Sequence, residues 1–239
     1  MRLLNFPRNL LDARQNFEVF DDFSNYGSAE ANWTNLAADG GVTAFAESDA
    51  EHGRIQGQTA ATNNNEIMAR STNEVALFQA DGAMIFESRI QYSEANTDDA
   101  NVAVGMGDAA GANVLLDDGA GVGSFNSAAL IYKVDGGTVW RCGCINNGTT
   151  KDTVSVQTAG GSSYQTLTIE VRDIDGTNIE VTYFLDQKPL TDSNNKAIKH
   201  TLAFASATEM RLIAGYIKAG SANNETLNID YTYFRGLRV

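Results

Sequence analysis

Nothing limits the fold of this chain more than the alternation of apolar and polar residues at every second position, which returns along most of its length with Gly, Asn or Asp in each interruption. In 83–92, Met84, Phe86, Ile90 and Tyr92 fall on one side of an extended chain and Glu87, Arg89 and Gln91 on the other, the pattern of a half-buried strand. The same spacing recurs in Leu167, Ile169 and Val171, and again in Ile179, Val181, Tyr183 and Leu185. Between those two runs lies Asp173-Ile174-Asp175-Gly176-Thr177, whose Asp-Gly step supplies the positive φ of a hairpin turn. Further strands are expected at 74–79, 101–106, 128–134, 138–145, 152–157 and 210–218. A last strand at 227–234 should set Leu227, Ile229, Tyr231 and Tyr233 against Asn228, Asp230 and Thr232. Asp135-Gly136-Gly137 joins the fourth of these runs to its predecessor as a second tight hairpin.

No segment carries helical periodicity for more than about two turns. Many short strands with polar turns predict an all-β fold, a sandwich of two antiparallel sheets. Prolines are confined to Pro7 and Pro189, which suits central strands, because proline cannot donate to the ladder. One domain is expected at 21–239, preceded by an arm at 1–20. The arm carries Leu3, Leu4, Phe6, Leu10 and Leu11, apolar side chains that either pack along their own domain or dock on a partner.

Charge narrows the function. The chain has 17 basic and 30 acidic side chains, so 17 − 30 gives −13, and residues 21–130 alone hold three basic and seventeen acidic, −14. A phosphate backbone is repelled by such a stretch, so a nucleic-acid partner is excluded. No apolar run approaches the length of a membrane span, and Pro7, Arg8 and Asp12 break the N-terminal stretch as a secretory signal. The two cysteines, Cys142 and Cys144, share one face of a strand. They are too close in sequence for an unstrained disulfide and too few for a structural metal, so two reduced thiols packed near Trp140 are expected.

Several residues invite chemistry. Glu47, Asp49 and Glu51 have the E-x-D-x-E spacing, which on a strand puts three carboxylates on one face. That spacing resembles the catalytic signature of laminarinase-type glycoside hydrolases, but Ser48 and Ala50 replace the large apolar residues found between the carboxylates there, and an acidic loop is the expectation. Asp98-Asp99 and Asp117-Asp118, beside Gly or Asn, are weak calcium candidates, since a hard cation takes carboxylate and loop-carbonyl oxygens. Trp140 with Arg89 and Glu87 makes a candidate glycan face, the indole serving as a stacking platform. No Gly-rich phosphate loop and no Ser/His/Asp or Cys/His set is present, so no catalytic residue, resident metal or cofactor is assigned beyond the possible calcium.

The pieces Phe86-Glu87-Ser88-Arg89-Ile90, Tyr164 to Val171, Tyr183-Phe184-Leu185-Asp186 and Leu227-Asn228-Ile229-Asp230-Tyr231 resemble the concanavalin A-like or laminin-G-like jelly-roll superfamily over about 83–235. Within it the chain looks most like jelly-roll proteins of tailed bacteriophages. That resemblance implies a non-enzymatic virion structural protein, a capsid decoration or cement protein assembled in the host cytoplasm. It would be oligomeric on the shell and docked on the major capsid or another virion protein through its arm. The alternative it implies is a carbohydrate-binding lectin-like or host-recognition tail module, and a third is a glycoside hydrolase.

Overall fold

The computed structural model describes residues 16–24, 26, 32–37, 40, 42–48, 53–160 and 163–237. The arm residues Leu3, Leu4, Phe6, Leu10 and Leu11 lie outside the described residues, as do Asp49 and Glu51.

The period-two runs form two antiparallel sheets. One sheet is built from β1 (Asn16–Asp21), β3 (Thr43–Glu47), β4 (Ile55–Gln58), β6 (Ala83–Ser93), β11 (Gln165–Asp173), β12 (Asn178–Leu185), β13 (Lys188–Pro189), β14 (Lys199–Ala203) and β16 (Thr226–Leu237). Its main path runs β13-β12-β11-β6-β16-β4-β3, with β14 beside β12 and β1 beside β16. The other sheet contains β2 (Trp33–Ala37), β5 (Glu66–Ser71), β7 (Ala100–Gly107), β8 (Ser127–Lys133), β9 (Val139–Asn146), β10 (Thr149–Thr158) and β15 (Arg211–Ala219). Its order is β10-β9-β8-β7-β15-β5-β2. Two stacked antiparallel sheets of this kind make the expected jelly-roll sandwich.

The inward residues of both sheets interdigitate. Met84, Phe86, Ile90, Leu167, Ile169, Val181, Tyr183, Leu227 and Phe234 from the first sheet meet Ile67, Val102, Val104, Met106, Ile131, Leu212 and Ile217 from the second. Each such Leu, Ile, Val or Phe contributes about 1.5–3 kcal/mol on leaving water. Where β15 packs on β16 the chain uses Gly215, since a Cβ there would lie 2.8 Å from a Leu227 methyl and 2.7 Å from Ile229 Cδ1. Both expected hairpins form: β11 pairs with β12 across the Asp175-Gly176 step, and β8 with β9 across Gly136, each glycine at positive φ.

Three expectations are corrected. Residues 16–20, counted with the arm, are strand β1 and pair with 233–237 of β16. Residues 74–79 are not a strand. Ala76 and Phe78 are buried, but the segment makes only the isolated bridge Ala76–Met210, so its alternation records burial along the sandwich edge without a ladder. In β16 the pairing register with β6 shifts between Ile229 and Tyr231. This bulge inserts one residue and reverses the parity, so Thr232 and Phe234 point inward while Tyr231 and Tyr233 turn to the outer face.

The middle of the second sheet is covered on both faces, while its edge strand β10 is largely exposed. Every residue of β7 and of β8 is buried, which explains their near-continuous apolar runs. The outer cover is the connection between these strands, residues 108–126, whose Val114 and Leu115 are buried with Met68, Ala103, Leu130, Tyr132 and Tyr216, and whose Val122 and Phe125 pack against them. The connection doubles back on itself: Leu115 and Val122 form a bridge, and Gly123 N–H donates to Val114 O at 2.9 Å.

Candidate functional site

Lys218 lies in the apolar run of β15 directly across the ladder from Glu66 of β5. Both are buried, and a buried charge holds its place only when paired and hydrogen-bonded. Lys218 Nζ lies 3.9 Å from Glu66 Oε2 and pairs with Asp117 Oδ1. It also donates to Asn113 Oδ1 at 2.7 Å and Leu115 O at 3.2 Å. Glu66 accepts from Asn113 N at 3.0 Å with both oxygens and from the Tyr216 hydroxyl at 2.5 Å. Burial, and then the Glu66 carboxylate, push the Tyr216 phenol well above its ordinary pKa. This network ties the 108–126 connection to the sheet.

Above it opens a cleft of about 480 Å³ lined by Gly40, Thr62, Asn63, Asn64, Asn65, Glu66, Ala112, Asn113 and Asp117. Its asparagine wall comes from the β4–β5 loop. Asn64 has φ 61°, a left-handed conformation that asparagine tolerates better than most residues. The loop is pinned to the sheet by Asn64 N donating to Ala219 O and Ala219 N donating to Asn65 O, both at 2.9 Å. Asn65 Oδ1 accepts from Ala60 N at 2.7 Å. Asn64 Oδ1, in contrast, is buried without a hydrogen-bond partner, a costly state for a carbonyl oxygen. Amide groups, a threonine hydroxyl and carboxylates around a space of this size suit a small polyhydroxylated ligand.

Of the residues singled out from sequence, Asp117 lines this cleft, and Asp118 sits in the adjacent turn at φ 51°. The same end of the molecule gathers the other aspartate pair. Asp98 O accepts from Gly136 N at 2.8 Å, and Asp99 Oδ2 accepts from Asn223 Nδ2 at 3.3 Å and from the Ser221 hydroxyl. Burial and the nearby Asp99 raise the Asp135 carboxyl above its usual range. Among the described residues, no three His, Cys, Asp or Glu side chains are placed to hold a metal ion.

The glycan trio of Trp140, Arg89 and Glu87 is not assembled. Trp140 is 0% exposed. It packs edge-on against Tyr92 at 6.2 Å and donates from Nε1 to Gln165 Oε1 at 3.1 Å, so it is a core residue and no stacking platform. Its neighbours Cys142 and Cys144 are free and buried, with both thiols pushed up by burial. Glu87 and Arg89 lie on the outer face of the other sheet. There Glu87 accepts from the Tyr231 hydroxyl at 2.7 Å and from Thr168 Oγ1 at 2.9 Å, and Arg89 pairs with Asp230 and lies 4.7 Å over the Tyr164 ring. Glu47 is exposed on β3, and its two companions in the E-x-D-x-E spacing fall outside the described residues. Sequence reasoning missed Asn63, Asn64 and Asn65, which resemble any polar turn. The lysines of the apolar runs Ala-Leu-Ile-Tyr-Lys133 and Gly-Tyr-Ile-Lys218 did carry a signal, since a lysine among core residues implies a buried partner.

No protein-family model matches the sequence, and no curated protein matches it. Solved structures do share the architecture. An endo-1,3-beta-glucanase from Streptomyces sioyaensis superposes with a TM-score of 0.61 at 14% identity, covering 94% of this chain and 98% of that one. The potassium-bound carbohydrate recognition domain of Emp46p gives 0.55 at 13% identity, covering 90% and 94%. Lectin I from Ulex europaeus, in complex with the methyl glycoside of alpha-L-fucose, gives 0.54 at 10% identity, covering 93% and 98%. At these identities the likeness is one of fold, and the fold is the concanavalin A-like, legume-lectin-like jelly roll.

Proposed function

We propose that this domain binds carbohydrate without transforming it, as a lectin does, and that the cleft between the 62–65 loop and the 108–126 connection is its binding site. The observation that carries the reading is the cleft itself, a space of about 480 Å³ lined by Thr62, Asn63, Asn64 and Asn65 together with Glu66 and Asp117. Ring hydroxyls both donate and accept, and amide groups that do the same match the hydroxyl pattern of a sugar. The non-catalytic part of the reading is supported by how the lining carboxylates are engaged. Glu66 accepts from Asn113 N and the Tyr216 hydroxyl with Lys218 Nζ 3.9 Å away, and Asp117 pairs with that buried lysine, so both are engaged within the fold. Fold neighbours that are a carbohydrate recognition domain and a lectin agree with the reading, while the glucanase neighbour marks its enzymatic alternative. The virion structural role draws on the arm, which is outside the described residues, and the lectin reading takes precedence because the fold neighbours include a carbohydrate recognition domain and a lectin.

A glycan array probed with the full chain should show saturable binding to a subset of saccharides. Asn64→Gly keeps the left-handed backbone but deletes the amide, and should weaken that binding at least tenfold with the fold unchanged by circular dichroism. A blank array, or undiminished binding by Asn64→Gly, would sink the assignment.

A further inference from the structure

The asparagine wall of the cleft is fastened from behind at a joint of three turns, with a buried carboxyl group at its centre. Glu225, at the end of the β15–β16 turn, is 0% exposed. Its backbone holds the β4–β5 loop, because Thr59 N donates to Glu225 O at 3.0 Å and Glu225 N donates to Thr59 Oγ1 at 2.9 Å. From Thr59 the fastening runs on through Ala60 N, which donates to Asn65 Oδ1 at 2.7 Å, and through Asn64 N, which donates to Ala219 O at 2.9 Å. The Glu225 side chain holds the β6–β7 turn, with Oε2 accepting from Ala95 N at 3.1 Å. Asp99 of that turn accepts in its own right from Ser221 and Asn223 of the β15–β16 turn. These two turns meet through backbone, since a Cβ on Gly220 would lie 2.1 Å from Asp99 O.

A carboxylate is poorly served in this position. Glu225 Oε1 is buried with no hydrogen-bond partner. The charged groups that face it are Asp99 and Glu94 from the β6–β7 turn and Lys133 from β8, and Asp135 stands beside Asp99. Lys133 Nζ is taken up by Glu94 Oε1 at 2.7 Å and Ala100 O at 2.8 Å, so it offsets Glu94 and leaves Asp99 to oppose a charge on Glu225. A proton on Glu225 removes the burial penalty and the repulsion together. We propose that Glu225 is a proton-operated latch on the cleft: with its carboxyl neutral the three turns stay joined, and on ionisation the joint opens and releases the 63–65 wall. The effect on saccharide binding rests on the carbohydrate-binding reading, whereas the opening itself does not. The direction follows from linkage. Closed, the carboxyl titrates at about 7, and open to water at about 4.3. Opening therefore grows about tenfold per pH unit between those two values and levels off above the higher one.

Native-state hydrogen exchange of the full chain, followed amide by amide from pH 4.5 to 8 and divided by the intrinsic rates, reads the opening directly. Protection at Thr59, Asn64 and Ala219 should fall about tenfold per pH unit up to neutrality and then level. In Glu225→Gln, which keeps the shape and stays neutral, protection at the same three amides should not depend on pH. The Kd of a saccharide found on the array should rise by about threefold or more from pH 5 to 7.5 for the unaltered chain and stay level for the variant. Should the variant fail to fold, carbon-detected NMR of the unaltered chain takes its place: the Glu225 carboxyl carbon and the amides of 59–65 must shift with one shared midpoint, and separate midpoints overturn the latch. Protection that ignores pH, or that falls equally in both chains, overturns it as well and leaves the lectin reading standing. A level Kd beside proton-dependent protection overturns the coupling to the cleft. A blank array overturns the lectin reading, and the amide profile still decides the latch.

Discussion

Two side chains change meaning between sequence and structure. Trp140 reads in sequence as a platform for a sugar ring, yet the strand parity that places Cys142 and Cys144 inward also turns the indole into the core beside Tyr92. Trp140→Ala should therefore cost about 3–5 kcal/mol of stability in urea unfolding, while saccharide affinity measured on the folded fraction holds; lost affinity in a fully stable variant would return the residue to the binding site. His200 is the second case. Its ring bridges Thr153 Oγ1 at 3.0 Å and the Tyr183 hydroxyl at 2.9 Å, and burial lowers its pKa to about 4. Neither histidine stood out in the sequence, because a lone histidine looks the same whether solvated or enclosed.

At the scale of elements, the 108–126 connection decides how the second sheet is finished. Leu115 is fully buried within it, and Leu115→Ala should lower stability by about 2–5 kcal/mol and open the connection to protease earlier than the rest of the chain. Uniform cleavage along the chain would show instead that it is no separate cover. Which elements were legible follows from how each is buried. Strands β6, β11 and β12 each have one wet face, so alternation reveals both their existence and their orientation. Strands β2 to β5 are short and are separated by polar loops, and in β5 burial on both sides removes the alternation that would mark it. The bulge in β16 leaves no trace in composition, so the inward placement of Thr232 was hidden. The site was legible only at Asp117, which was singled out as a possible calcium ligand. The asparagines across the cleft are brought to it by pairing between strands distant in sequence.

Taken as a whole, the molecule balances two buried groups that titrate in opposite senses. His200 stays neutral when folded, so between its unfolded pKa near 6.5 and about 4 the unfolded chain binds more protons and stability falls as pH falls. Glu225 is buried, with Oε2 accepting from Ala95 N at 3.1 Å and Oε1 unpartnered. Burial foremost, then Asp99 and Glu94, raise its pKa to about 7, with Lys133 opposing. Between its unfolded value near 4.3 and about 7 the folded chain binds more protons, and stability falls as pH rises. The two slopes oppose each other over much of the mildly acidic range. Glu225→Gln should therefore expose a stability that climbs from pH 4.5 to 6.5, and His200→Gln one that declines over the same interval. Urea midpoints across that range check the pair, and parallel profiles for the two variants would refute the assignment.

Strand β16 also governs when the protein can be finished. Its residues 226–229 hold β4 and its residues 232–237 hold β1 along one edge, while β6 pairs along the other. A nascent chain that has emerged only to residue 225 thus exposes three strands that share a partner still inside the ribosome. Such late, long-range closure favours slow folding and leaves open edges during synthesis. Completion of the first sheet must therefore wait until translation has passed residue 237.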